Sequence, residues 1–237
     1  MHGCRLPQHT RAAGGFTLVE LMVALMVMAL LSLMSWRGLD AMGRAQAQTQ
    51  ARADAVLSLQ SGLAQWGADL DAMDTDLSNP VSAASAVAVT ASTLPSAMDW
   101  NGLSLRITRH SNGTLGPSLR VVAWTLGDNA GRKTWLRWQS PELRTRTALQ
   151  QAWLQAAAWA QSPTAASRAA QVSVMPLDDW QLFYYRGDAW TNPGSSSDAA
   201  AATPDGVRLV LSLPDGGPLA GKLTRDWIRP TSVGAKT

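Results

Sequence analysis

The sequence predicts an α+β protein in which a long N-terminal helix, membrane-spanning in its first half, packs on an antiparallel β-sheet head. Three observations predict it. Residues 16–36, FTLVELMVALMVMALLSLMSW, form an unbroken apolar run. At about 1.5 Å per residue such a run crosses a bilayer as a helix. Val56, Leu59, Leu63, Trp66 and Leu70 then recur at spacings of three and four, the signature of an amphipathic helix. From Leu103 onward the apolar period changes to two, and strands following one long helix indicate an α+β head with an antiparallel sheet.

Residues 1–15 form a polar leader with Arg5 and Arg11. A secretory signal would end in a small-residue cleavage site after the apolar run. Here the run passes instead through Met34, Ser35, Trp36 and Arg37. Cys4 has no apolar segment before it, so a lipoprotein reading fails as well. The arginines flank the N-terminal side of the span and, by the positive-inside rule, place the leader in the cytoplasm and the remainder outside. Arg37 and Arg44, on the far side, weaken that bias. Glu20 is the one formal charge within the run. A carboxylate inside a spanning helix costs roughly 2.5–3.5 kcal/mol on insertion scales, and such groups usually face a partner. The alternative is a Glu20 close enough to the headgroups to stay hydrated.

Residues 37–77 extend the helix. Leu39 and Met42 open an apolar stripe, Gly38 and Gly43 soften the helix outside the span, and Gly62 and Gly67 cost roughly 1 kcal/mol each against alanine. Residues 56–70 are expected to pack on the chain's own sheet, and 16 to 50 to meet neighbouring molecules. Asp69, Asp71, Asp74 and Asp76 suggest calcium, but no EF-hand glycine and glutamate stand at the required positions. A solvated helix end running into Ser78-Asn79-Pro80 is the simpler expectation.

Residues 78–237 are read as the head. Residues 78–99, rich in Ser, Ala and Thr, read as a loop with a short strand at 86–90. Leu103–Ile107, Leu119–Leu126 and Lys133–Gln139 read as strands, with 127–131 as a hairpin loop. Residues 142–170 read as helical and broken at Pro163. Strand patterns return at Trp180–Arg186, Val207–Leu213 and Leu223–Arg229, the last two joined by the turn sequence Pro214-Asp215-Gly216-Gly217. Asn192–Pro204 reads as a polar, disordered loop. The 11 tryptophans are dispersed, several on alternating strand positions where core packing explains them, and Trp36 falls where an interfacial aromatic belt would.

Composition removes several classes of function. Charged residues are 16% and the net charge is +3, too mild for a nucleic-acid partner. The single cysteine permits no internal disulfide and no Cys-based metal site. Of three histidines only His110 lies beyond the leader, leaving little material for a metal cluster or a His-based triad. No G-x-S-x-G is present and no carboxylate pair is framed. A tethered hydrolase is therefore a distant third reading. No catalytic residue, cofactor or metal is expected.

The hexapeptide Gly15-Phe-Thr-Leu-Val-Glu20, at the junction of leader and apolar helix, resembles the signal of type IV prepilins and type II secretion pseudopilins. The resemblance implies a pilin-like fold. It also implies cleavage by a prepilin peptidase between Gly15 and Phe16, N-methylation of the new Phe16 amine, and an assembly role for Glu20 at the fifth mature position. The freed amine, with an ordinary pKa of about 7.7–8.0, would pair with Glu20 of the next subunit. That contact is head-to-tail and suits an open helical filament. Trp36-Arg-Gly-Leu-Asp-Ala-Met42, Leu59-Gln60 with Asp69-Leu70, Trp180 to Trp190 and Val207-Arg-Leu-Val-Leu-Ser-Leu213 are similar to the J-type minor pseudopilin. This implies a subunit held in the inner membrane by a single span, its head in the periplasm. Its partners would be I- and K-type minor pseudopilins and the major pseudopilin, in a tip complex that primes the pseudopilus for protein export. The alternative is a minor pilin of a type IV pilus serving adhesion, motility or DNA uptake.

Overall fold

The computed structural model describes residues 15–75, 96–113, 116–194 and 203–230. The strand read at 86–90, Asp76 and most of the Asn192–Pro204 insert lie outside them. The chain divides into two units, Met1–Gln50 and Ala51–Thr237. Helix α1 (Leu18–Asp71) contributes residues to both and runs without a break through Gly38 and Gly43.

In the first unit every described residue is exposed, the large apolar side chains between Phe16 and Trp36 included. The helix is long and apolar enough to cross a membrane, and a helix apolar on all sides needs surroundings as apolar as itself. Beyond the apolar run the surface turns polar, with Arg44 paired to Asp40 one turn earlier at 2.8 Å.

Among its described residues the second unit holds two antiparallel sheets where one was expected. The first has the order β1-β2-β3-β4-β5, from β1 (Met98–Trp100), β2 (Ser104–Gly113), β3 (Gly116–Asn129), β4 (Arg132–Gln139) and β5 (Gln171–Pro176). The second has the order β7-β6-β8-β9, from β6 (Asp179–Arg186), β7 (Ala189–Thr191), β8 (Gly206–Leu213) and β9 (Gly221–Ile228). Between β4 and β5 the chain forms α2 (Arg146–Gln161) and the short α3 (Ala165–Ala169), separated at Pro163 as expected.

The first sheet is covered on both faces. Leu105, Ile107, Val122, Trp124 and Trp135 point into a core shared with Trp66 and Leu70 of α1 and with Leu182, Val207, Leu209 and Leu211 of the second sheet. Val121, Ala123, Leu136 and Trp138 point the other way, onto Leu149, Ala152, Ala156 and Trp159 of α2. The unbroken apolar run in β3 follows from this, because a strand buried on both faces has no polar side to alternate with. Helix α2 presents its buried residues at spacings of three and four. Its first turn is closed by the Thr145 hydroxyl, which accepts from the Ala148 N–H at 3.2 Å.

The hairpin between β3 and β4 is tighter than the five-residue loop expected. Asn129 pairs with Arg132, leaving only Ala130 and Gly131 in the turn, at φ +54° and +78°. Both central residues left-handed is the type I′ arrangement, whose twist matches that of the strands. The Gly131 N–H donates to Asp128 Oδ1 at 3.1 Å.

The acidic stretch at the end of α1 is solvated only in part: Asp71 is exposed, whereas Asp69 and Asp74 are buried. Asp69 is 0% exposed and accepts five hydrogen bonds. Arg137 of β4 donates two in bidentate fashion, both at 2.8 Å, and Arg109 of β2 donates at 2.6 Å. Trp124 Nε1 and Gln65 Nε2 complete the set at 2.9 and 3.0 Å. Asp71 accepts from Trp227 Nε1 of β9 at 2.7 Å, and Asp74, 6% exposed, lies 3.5 Å from His110 Nε2. A carboxylate can be buried only where charge-assisted donors replace its hydration, and here three strands and a helical turn supply them.

Candidate processing and assembly site

Gly15, Phe16 and Thr17 precede the helix in non-helical backbone, and α1 opens at Leu18. Phe16 is 85% exposed, and among the described residues nothing approaches Gly15 within 4 Å of where a Cβ would stand. The peptide joining them is therefore open to an enzyme and bare of side chain on its N-terminal side.

Thr17 sets where the helix starts. Its hydroxyl accepts from the Glu20 N–H at 3.3 Å, and its carbonyl accepts from the Leu21 N–H at 3.2 Å. A hydroxyl that takes one of the unpaired N–H groups of the first turn is an N-cap. Glu20 stands at the third helical position, where negative charge is favoured by the helix dipole. The spacing Thr17-x-x-Glu20 ahead of an apolar run is also that of a capping box. This spacing is a helix-start signal legible in the sequence itself. Glu20 is exposed, so its side chain remains available to a partner.

Of the acidic residues, Asp69 and Asp71 are already engaged by protein donors, and Asp76 lies outside the described residues. Both oxygens of Asp69 are engaged by arginine and tryptophan donors, Asp71 is held by Trp227, and no three His, Cys, Asp or Glu side chains converge among the described residues.

A membrane-length apolar helix opening just after an exposed Gly–Phe peptide, followed by antiparallel sheets, defines a pilin-like α+β architecture. The family model for the prokaryotic N-terminal methylation motif matches residues 10–36, so the chain carries a type IV pilin-like prepilin signal. That motif implies processing by a prepilin peptidase and pilin-like assembly. No curated protein matches the chain in sequence.

Proposed function

We propose that this chain is a minor pseudopilin of a type II secretion system, of the J type, acting as a structural subunit and not as an enzyme. In this reading prepilin peptidase cuts between Gly15 and Phe16 and methylates the Phe16 amine. The mature subunit stays in the inner membrane with its head in the periplasm. It joins I- and K-type minor pseudopilins in the tip complex that primes the pseudopilus of major pseudopilin subunits. The observation that carries the reading is the methylation motif at residues 10–36, with Glu20 as its sole formal charge inside the apolar run. The J-type assignment is supported by the similarity at Trp36–Met42 and in the C-terminal strands, and by a mature chain free of cysteine, which cannot form the disulfide loop of major pilins. A head with two sheets is bulky for repeated stacking along a thin fibre and suits a tip.

Cleavage would create the cation that Glu20 lacks, so processing would precede assembly. The test co-expresses the full chain with prepilin peptidase and the I-, K- and major pseudopilins. The expected product begins at an N-methylated Phe16 and co-purifies with the I and K subunits, whereas Glu20→Ala inserts normally and does not co-purify. Normal co-purification of Glu20→Ala would overturn the pairing with the amine. In a parallel co-expression with minor pilins of a type IV pilus, co-purification there and not with the pseudopilins would transfer the same machinery to a type IV pilus.

A further inference from the structure

The two sheets have four edge strands, and three are closed by their geometry. Strands β1 and β7 are three residues long. Strand β5 is bulged where it meets β4 between Trp135 and Leu136, and it ends at Pro176, which has no N–H to offer. Short strands, bulges and prolines are the ordinary means of blocking strand addition.

Strand β9 has none of them. It pairs with β8 in unbroken register over its whole length, from Gly221 opposite Leu213 to Ile228 opposite Gly206. Six of its eight residues are exposed, and among the described residues its backbone makes no backbone bond other than those to β8. Among the described residues its protection is charge. Asp226 is held by Arg208 in two bonds of 2.7 Å, and Arg208 also lies over the Trp190 ring at 4.2 Å, so this carboxylate is spoken for. Lys222 and Arg225 are exposed and have no ion-pair partner among the described residues.

We propose that the outer edge of β9 is a strand-addition site for an extended segment of a partner protein carrying two carboxylates three residues apart, set against Lys222 and Arg225. An edge blocked by shape refuses every strand, whereas an edge guarded by two unpaired cations refuses only strands that bring no opposite charge. Main-chain bonds supply affinity in this mode of recognition, and side chains on alternate faces supply selectivity. Lys222 stands on the same face as Thr224 and Asp226, and Arg225 on the opposite face with Leu223 and Trp227, because successive strand residues alternate. Carboxylates three apart on the incoming strand fall on opposite faces in the same way. Cationic guards also disfavour a strand of like charge, so selectivity comes from repulsion as well as attraction. The inference rests on the head alone and goes beyond the secretion reading.

The test uses the full chain in detergent and three capped eight-residue peptides of β-branched residues. One carries glutamates three apart, one carries lysines at those positions, and one is the glutamate peptide with alternate amides N-methylated so that one edge cannot donate. The glutamate peptide is expected to bind saturably, at least about fivefold tighter than the lysine peptide given two cross-strand charge pairs. It should also slow hydrogen exchange of amides within 221–228. N-methylation should abolish both effects, and Lys222→Glu with Arg225→Glu should reverse the preference. Equal binding of the glutamate and lysine peptides would overturn the proposal. So would undiminished binding of the N-methylated peptide, protection outside β9, or concentration-dependent protection of β9 by a second copy of the chain without peptide. The assay contains no other subunit, so its failure leaves the co-purification result untouched, and the converse also holds.

Discussion

Asp69 joins the last turns of α1 to three strands through side chains 40, 55 and 68 positions away in sequence. Neutralising it leaves the Arg137 guanidinium, only 10% exposed, without its counter-charge. Breaking a buried pair from one side costs about 3–5 kcal/mol. Asp69→Asn should therefore lower the urea midpoint sharply, and Asp226→Asn, on the exposed Arg208 pair, should move it far less. An unchanged midpoint for Asp69→Asn would show that the cluster is not a fastening. Tyr184 makes a second case at this scale. Its hydroxyl is buried and finds no partner among the described residues. Burial, helped by the Asp99 carboxylate and opposed by Arg186, holds the phenol well above its ordinary value of 10.0. The folded chain thus keeps this proton to higher pH than the unfolded chain. The contribution is complete below about pH 10 and declines as pH rises above it. Tyr184→Phe should leave neutral-pH stability equal or higher and remove that part of the alkaline loss, measured by unfolding at pH 8 and pH 11. None of this was legible in the sequence, where Asp69 looked like the first of several surface acids. Its burial depends on partners that only the fold brings near.

The elements were easier to read, and where they were misread the cause is physical. Gly62 and Gly67 look alike in sequence, both a propensity cost to the same helix. In the fold, a Cβ at Gly62 would stand 2.5 Å from Val174 Cγ1 and 2.9 Å from Trp135 Cζ3, whereas Gly67 has open space. Gly62→Ala should destabilise the head despite its better helix propensity. Gly67→Ala should stabilise it by about 1 kcal/mol. Thermal unfolding of the two variants should move in opposite directions, and a shared direction would show that α1 does not press on β5 at Gly62. The strands read at 103–107, 119–126, 133–139, 180–186 and 207–213 are present, most of them longer than read. Strands β1 and β7 were missed because three residues cannot display a period, and β5 because it lies at the end of an alanine-rich helical stretch and is bulged. The tight turn at Ala130–Gly131 was read too long because alanine rarely adopts positive φ.

At the scale of the whole molecule, the class was visible in the change of apolar period from three-and-four to two, and the processing signal in six contiguous residues. The division into two sheets was not visible. Nothing local distinguishes a strand that pairs within one sheet from a strand that begins another, and the turn of chain between β5 and β6 is only Leu177 and Asp178. The same holds for the helix that covers the far face of the first sheet. Strands β4 and β5 are neighbours, yet α2 and α3 stand between them in the chain. Helix α2 rests on β3, two strands in from β5. Joining β4 to β5 therefore closes a loop of about 30 residues, an entropic toll that falls before any pairing is gained. If α2 collapses first onto the hairpin of β2 and β3, the loose ends are already close and the last strand needs only to zip into place. The amphipathic stripe of α2 then governs how fast the head matures after the chain emerges, and hence how long the unpaired side of β4 stays open to the wrong partner.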